Sequence, residues 1–522
     1  MSKSHNMSKS HNMSKSHNMS KSHNKIKTLK LNTNIRKKNK LLVSNYSKKM
    51  FIFYKPLLKT LEKESILAQY FSIKENSITH NFVTCIYSQF IQYNNLINSL
   101  NIINTRTSTN NVSEKINAIV KDHLSKSKYI DSSIITYISA NINNCKLISY
   151  ENTINSKKFV LNFIIYDKVN INNLDNIAKN MLLFIQVLIK ISKNLNNEIN
   201  ICSNDGVSIT FFMTPFLKKL NVPNNTSNEI LGAKNVNSGF AYICLASGSI
   251  FIYRKQDFFK VFVHETVHAY GIDKALHSNF SKNENYNKFL NMFAFANKDI
   301  TNVGINEAIT EFWTSLLYLC INSYQVSESL HDYIYNFKRL YKMELLHALY
   351  QISKILHYNK LTYNSFINNS NSKYSENSHI FSYFIVKTLM LINNEHMLNS
   401  QLFDLNSIYK LEAIKNNSFI NIKLKNDTTT INKLFANLYD YANDPMFIKL
   451  ISNIEAEHLK HYNKYVNKYV NKYVNNKTQK INKNIKLETR KNSTYKNKKQ
   501  DRFNIENFML TNLKMMIYDY NI

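Results

Sequence analysis

The chain has 522 residues, ample for a large core and two subdomains. Its net charge of +32 sits mostly at the ends: residues 1–49 hold 13 Lys or Arg and no acid, and residues 460–502 are net +12. A nucleic-acid role would therefore belong to the tails rather than to the body between them.

In chain order, MSKSHN repeats four times over residues 1–24, inside a basic low-complexity tail assigned to 1–49. Its histidines, at 5, 11, 17 and 23, present no preformed metal site in a solvated repeat. The start of the chain lacks an apolar h-region, and the most apolar run, residues 181–189, is too short to span a bilayer. No secretion and no membrane partner are expected. Cysteines 85, 145, 202, 244 and 320 are odd in number and lack CxxC spacing. They read as reduced thiols, which suits the cytoplasm or a particle assembled there.

Residues 50–157 read as a mostly helical N-terminal region. At 158 the pattern changes, and 158–322 is assigned as an α/β core. KFVLNFIIYD reads as a strand, 174–196 as a helix and VSITFFM (207–213) as a second strand. A loop follows through Pro215, Pro223 and the Asn/Ser-rich 224–238. GFAYICLA and SIFIYR then form a hairpin around Ser247-Gly248. Residues 323–456 read as a helical subdomain, with apolar spacing in 328–357, 379–393 and 431–453. Residues 457–522 are assigned as a basic tail containing NKYV repeats from Asn463 to Val474, where RNA or particle-surface contact is one reading and a solvated tail the other. All 6 glycines fall between 206 and 304, where the backbone is expected to require them.

The chemistry is carried by two short motifs. In VFVHETVHAYG, His264 and His268 are four apart and share a helical face, so both imidazoles can aim at one metal ion. Glu265 lies about 100° around the helix axis, placed to reach a water without ligating the metal. Asp257 is the expected N-cap and Gly271 the expected stop. In GINEAITEFW, Glu307 and Glu311 share a face by the same arithmetic. One can complete the ligand set while the other orients an imidazole. Asp273 and His277 are the other third-ligand candidates. They fall outside the H-E-x-x-H-x-x-G-x-x-H register, where Lys274 stands instead of a third His.

The two segments resemble the thermolysin-like gluzincin metallopeptidases, whose second helix carries Asn-Glu-Ala-Ile-Ser-Asp. More weakly, VNSGFAYI…IYRKQDFFKVFVHETVHAYG resembles zinc metallopeptidases encoded by giant DNA viruses. The matched motifs span residues 236–313 at most. The resemblance implies an α+β zincin-like fold: a small mixed sheet before the HExxH helix and a mainly helical subdomain after it. It implies one Zn2+ per chain on His264, His268 and Glu307, with Glu311 hydrogen-bonded to a ligand histidine. Glu265 would be the general base on a protein or peptide substrate, and residues 239–245 would lay substrate backbone along an edge strand. A Tyr or His from the helical subdomain would stabilise the transition state, and Tyr383 and His379 are the local candidates. The setting would be the cytoplasm or a virion. Two other classes fit the sequence: a non-catalytic zinc-binding structural or virion protein, and a basic nucleic-acid-binding protein acting through its tails.

Overall fold

A computed structural model describes residues 44–63, 70–100, 106–109, 112–195, 202–220, 229–273, 283–296, 304–368, 373–401, 428–481, 505 and 507–520. The MSKSHN repeats, Lys274 and His277 lie outside the described residues. Two helices open the described chain, α1 (Asn45–Lys63) and α2 (Ile78–Ser99). Six strands follow: β1 (Arg106–Thr109), β2 (Lys146–Ile154), β3 (Lys157–Ile165), β4 (Gly206–Phe212), β5 (Gly239–Ala241) and β6 (Ser247–Ile252). They form one mixed sheet in the order β1-β2-β3-β4-β6-β5.

The sequence explains the centre of that sheet. β2 and β3 are joined through Asn155 and Ser156, whose φ values of 50° and 64° make the mirror-image turn that matches strand twist. β3 ends in a nearly continuous buried run because it lies inside the sheet, antiparallel to β2 on one side and parallel to β4 on the other. The parallel step from β3 to β4 needs a crossover, supplied by α3 (Ile171–Leu195). β4 is parallel to β6, and β5 pairs antiparallel with β6 at the sheet edge; the expected hairpin forms, but its turn precedes Ser247-Gly248, which already pair with β4 inside β6.

Directly after β6 comes α4 (Phe258–Ala269), whose 12 residues are all buried. Its Phe262 meets Phe184 of α3 at 5.7 Å between ring centroids, and its Phe258 meets Phe211 of β4 at 6.1 Å. The sheet, α3 and α4 thus share one apolar layer. Beyond it the described elements are helical, chiefly α5 (Ile305–Gln325), α6 (Leu330–Tyr358) and α7 (Pro445–Ile481). The fold class is α+β, with every described strand before the helix that carries the two histidines.

Three expectations are corrected. The region read as mostly helical, 50–157, also holds β1 and β2 of the sheet, so a boundary at 158 cuts the β2–β3 hairpin. The tail expected over 457–522 is not one solvated segment. α7 continues through the NKYV repeats to Ile481, and Leu513, Met516 and Ile517 are fully buried in the core. Cys202 and Cys244 form a disulfide, leaving Cys85, Cys145 and Cys320 as buried free thiols. Their loops meet because Ser203 N–H donates to the Leu245 carbonyl at 2.6 Å, a neighbourhood invisible to residue spacing. Leu41–Ile522 cluster as one compact unit, and among the described residues no helix is long and apolar enough to cross a membrane.

Candidate metal centre

α4 begins at Asp257 and stops where the sequence says it should. After Tyr270, Gly271 adopts φ 63° and its N–H donates to the His268 carbonyl, while Ile272 N–H donates to Val267. This pairing closes a helix on a left-handed glycine. Asp257 departs from expectation. It occupies the N-cap position with φ 60°, but its side chain makes no cap hydrogen bond. Its buried carboxylate instead meets the Lys514 ammonium, accepts from Met515 N–H at 3.2 Å and lies 3.5 Å from Lys218 Nζ.

The helical spacing delivers the imidazoles as a pair, with His264 Nε2 and His268 Nε2 only 3.2 Å apart. Glu307, in the first turn of α5, brings Oε2 to 3.4 Å from His264 Nε2 and 3.7 Å from His268 Nε2. Three donors about 2.1 Å from one tetrahedral ion would be about 3.4 Å apart, so these separations suit a shared cation. Glu307 Oε2 is buried and, among the described residues, has no hydrogen-bond partner, while it faces the two rings at ion-pair range. Among the described residues, His264, His268 and Glu307 are the group of three that could hold a metal ion.

The far side of each ring fixes what the near side offers. His268 Nδ1 is 2.5 Å from Asp273 Oδ2, which also accepts from Thr310 Oγ1 at 3.1 Å. His264 Nδ1 is 2.8 Å from Glu311 Oε1, within ion-pair range but off the line of a hydrogen bond. Carboxylates at both Nδ1 atoms favour protons there, which turns the two Nε2 atoms toward each other to share a proton or a cation. The imidazolium pKa of His268 stands well above normal: burial lowers it, but Asp273 behind the ring and Glu307 in front of it more than offset that. Glu307 shows the converse, since burial would raise its carboxyl but the rings of His268 and His264 hold it well below the usual range.

Glu265 is buried in the same cleft, and burial raises its carboxyl against the opposing pull of His264 and His268. Gly239 of β5 faces it closely: a Cβ there would come within 2.8 Å of Val261 Cγ1 and 3.1 Å of Glu265 Oε1. A side chain at 239 would crowd the carboxylate, so the glycine lets the edge strand approach it. Tyr383 and His379 also line the cleft. The Tyr383 ring lies 6.2 Å from that of His264 and 6.1 Å from that of His379. Tyr383 sits in a π-helical turn, Phe381–Val386, a distortion often found at functional sites.

The structure therefore brings together His264, Glu265, His268, Glu307, Glu311, Tyr383 and His379. Asp273, weighed above only as a ligand, instead buttresses His268 from behind. The turn at Gly271 that folds it back is the signal that would have found it. Lys260, which pairs with Glu311, and Met515, which lines the cleft, carry no motif at all. No family model, no curated protein and no solved structure matches this chain, so its class rests on the fold and the site alone.

Proposed function

We propose that this protein is a zinc-dependent peptidase of the gluzincin type, built on a zincin-like fold. The observation that carries the reading is the convergence of two Nε2 atoms and one Glu307 carboxylate oxygen in a cleft that also holds a buried Glu265. His264, His268 and Glu307 would hold the ion, and the nitrogen-rich donor set suits zinc better than calcium or magnesium, which prefer all-oxygen shells. Zinc, when bound, supplies an acidified water and a Lewis acid for a peptide carbonyl.

The remaining roles fall to the chain. Glu265 takes a proton from the attacking water and delivers it to the leaving amine, and its raised pKa suits both halves of that transfer. Asp273 and Glu311 keep protons on the outer ring nitrogens and hold the rings in place. Tyr383 keeps its phenolic proton, since burial and the charges of Glu307 and Glu311 raise its pKa well above normal. It is the donor assigned to the developing oxyanion, with His379 beside it. Among the described residues β5, Gly239–Ala241, is the edge strand beside the cleft, where an extended substrate can add its backbone.

The test is proteome-wide cleavage profiling of wild type against Glu265→Gln. The wild type should generate new peptide termini, and the Gln variant should lose at least about a hundredfold of that activity. It should retain its zinc. Equal profiles from both proteins would exclude the peptidase reading and leave a metal-binding structural protein.

A further inference from the structure

The cleft is lined by two ammonium groups that the reaction above does not use. Lys218 and Lys260 both line it alongside the metal donors. Their side chains are 0% and 1% exposed. An ammonium has three donors to place, and neither residue places them well. Among the described residues, Lys218 Nζ reaches only Asp257 Oδ2, at a long 3.5 Å. The competition is clear: Lys514 holds the other oxygen of that carboxylate, and Met515 N–H also donates to Oδ2. Lys260 gives one donor to Glu311 Oε1 and turns another toward the Met515 thioether at 3.4 Å, a weak acceptor.

The nearby anions are shared. Glu311 Oε1 serves both Lys260 and His264, its Oε2 meets no hydrogen-bond donor among the described residues, and Asp257 serves Lys514 before Lys218. A buried cation with unfilled donors is costly unless an anion completes it. Lys218 registers that cost, since burial lowers its ammonium to about 7 and the charge of Lys260 adds to the effect, despite Asp257. Two under-satisfied cations in one cleft wall form a receptor for a group with two acceptor oxygens.

We propose that Lys218 and Lys260 form a carboxylate-recognition subsite, so that the preferred substrates are peptides carrying a carboxylate next to the bond to be cut. That carboxylate comes from an Asp or Glu side chain or from the substrate's own C-terminal residue. The cleavage half of this statement rests on the peptidase reading, whereas the binding half does not.

The test uses the full chain with Glu265→Gln, so that peptides are bound and not consumed, and reads fluorescence anisotropy. Labelled hexapeptides carry Glu or its isostere Gln at one internal position, and each is made with a free or amidated C-terminus. The carboxylate-bearing member of a matched pair should bind at least about tenfold tighter, the scale of one or two charge-assisted hydrogen bonds. Preference that follows the internal Glu identifies an acidic side chain, and preference that follows the free terminus identifies the α-carboxylate. Either supports the subsite. Lys218→Met should erase the preference and Lys218→Arg should keep much of it, with thermal melts confirming that both fold. If Lys218→Met does not fold, the matched pairs and Lys218→Arg still decide. Equal binding of all pairs overturns the proposal even if the wild type cuts peptides. Preference with no cleavage by the wild type would instead sink the peptidase reading and leave the subsite standing.

Discussion

At the scale of single residues, Asp273 shows how much of the centre lies behind the donors. Its carboxylate holds His268 by Nδ1, and Thr310 holds the carboxylate. Asp273→Asn keeps the shape but weakens the charge and the tautomer preference, so zinc affinity should fall about 10- to 100-fold. Competition titration with a chromophoric chelator reads this directly, and unchanged affinity would remove Asp273 from the site. Glu311 differs because it also neutralises Lys260. Glu311→Gln should therefore lower both zinc affinity and thermal stability, whereas Asp273→Asn should act mainly on zinc. His264 and His268 were legible in the sequence because helical spacing puts residues four apart on one face, whereas Glu307 was reached through the second motif and its resemblance. Asp273 was not, because its position depends on the left-handed Gly271 turning the chain back on itself.

At the scale of elements, the sheet and α4 read well from the chain because their apolar runs are long and local. Phe262 bridges α3 and α4 from complete burial. Phe262→Ala should cost about 3–5 kcal/mol in chemical denaturation, by lost burial and the cavity it leaves. β1 and β2 escaped because they lie in a polar, Asn- and Ser-rich stretch with few apolar residues to mark a strand, although β2 pairs directly with the following β3. The π-helical turn holding Tyr383 is likewise invisible to a 3.6-residue period. It is anchored by Glu376, which accepts from Phe381 N–H at 2.7 Å and from the Tyr374 hydroxyl. Burial pushes the Glu376 carboxyl up to about 8 from an ordinary 4.5. A carboxyl raised in the folded state is neutral there while its unfolded counterpart ionises, so stability falls as pH rises from about 4.5 to about 8. Glu376→Gln should remove that part of the slope in urea denaturation followed across pH, and an unchanged slope would contradict the assignment.

At the scale of the whole molecule, the C-terminal segment ties distant parts to α4. Lys514 meets Asp257 at the start of α4, Ile517 N–H donates to Glu344 of α6, and the Tyr520 hydroxyl donates to Asn322 of α5. None of these pairings could be read from the chain, because each joins residues more than 170 apart in sequence. Asp257 shows the energetic consequence. Burial alone would raise its carboxyl, but the ammoniums of Lys514 and Lys218 hold it below the ordinary 3.8. Its stabilisation is therefore complete above that value and is lost as pH falls through the lower folded one. Lys514→Met strands the carboxylate and should cost about 3–5 kcal/mol, with acid unfolding moved to higher pH. Circular dichroism melts between pH 2 and 7 measure both, and a variant as stable as wild type would mean that the segment does not clamp the centre.

The central claim is that His264, His268 and Glu307 enclose one divalent ion. Crystals of the purified protein, diffracted on both sides of the zinc absorption edge, test it most directly. The account expects one anomalous peak per chain, about 2.1 Å from His264 Nε2, His268 Nε2 and a Glu307 oxygen. No peak after equimolar zinc is added, or a peak held by the imidazoles with Glu307 turned away, would contradict it.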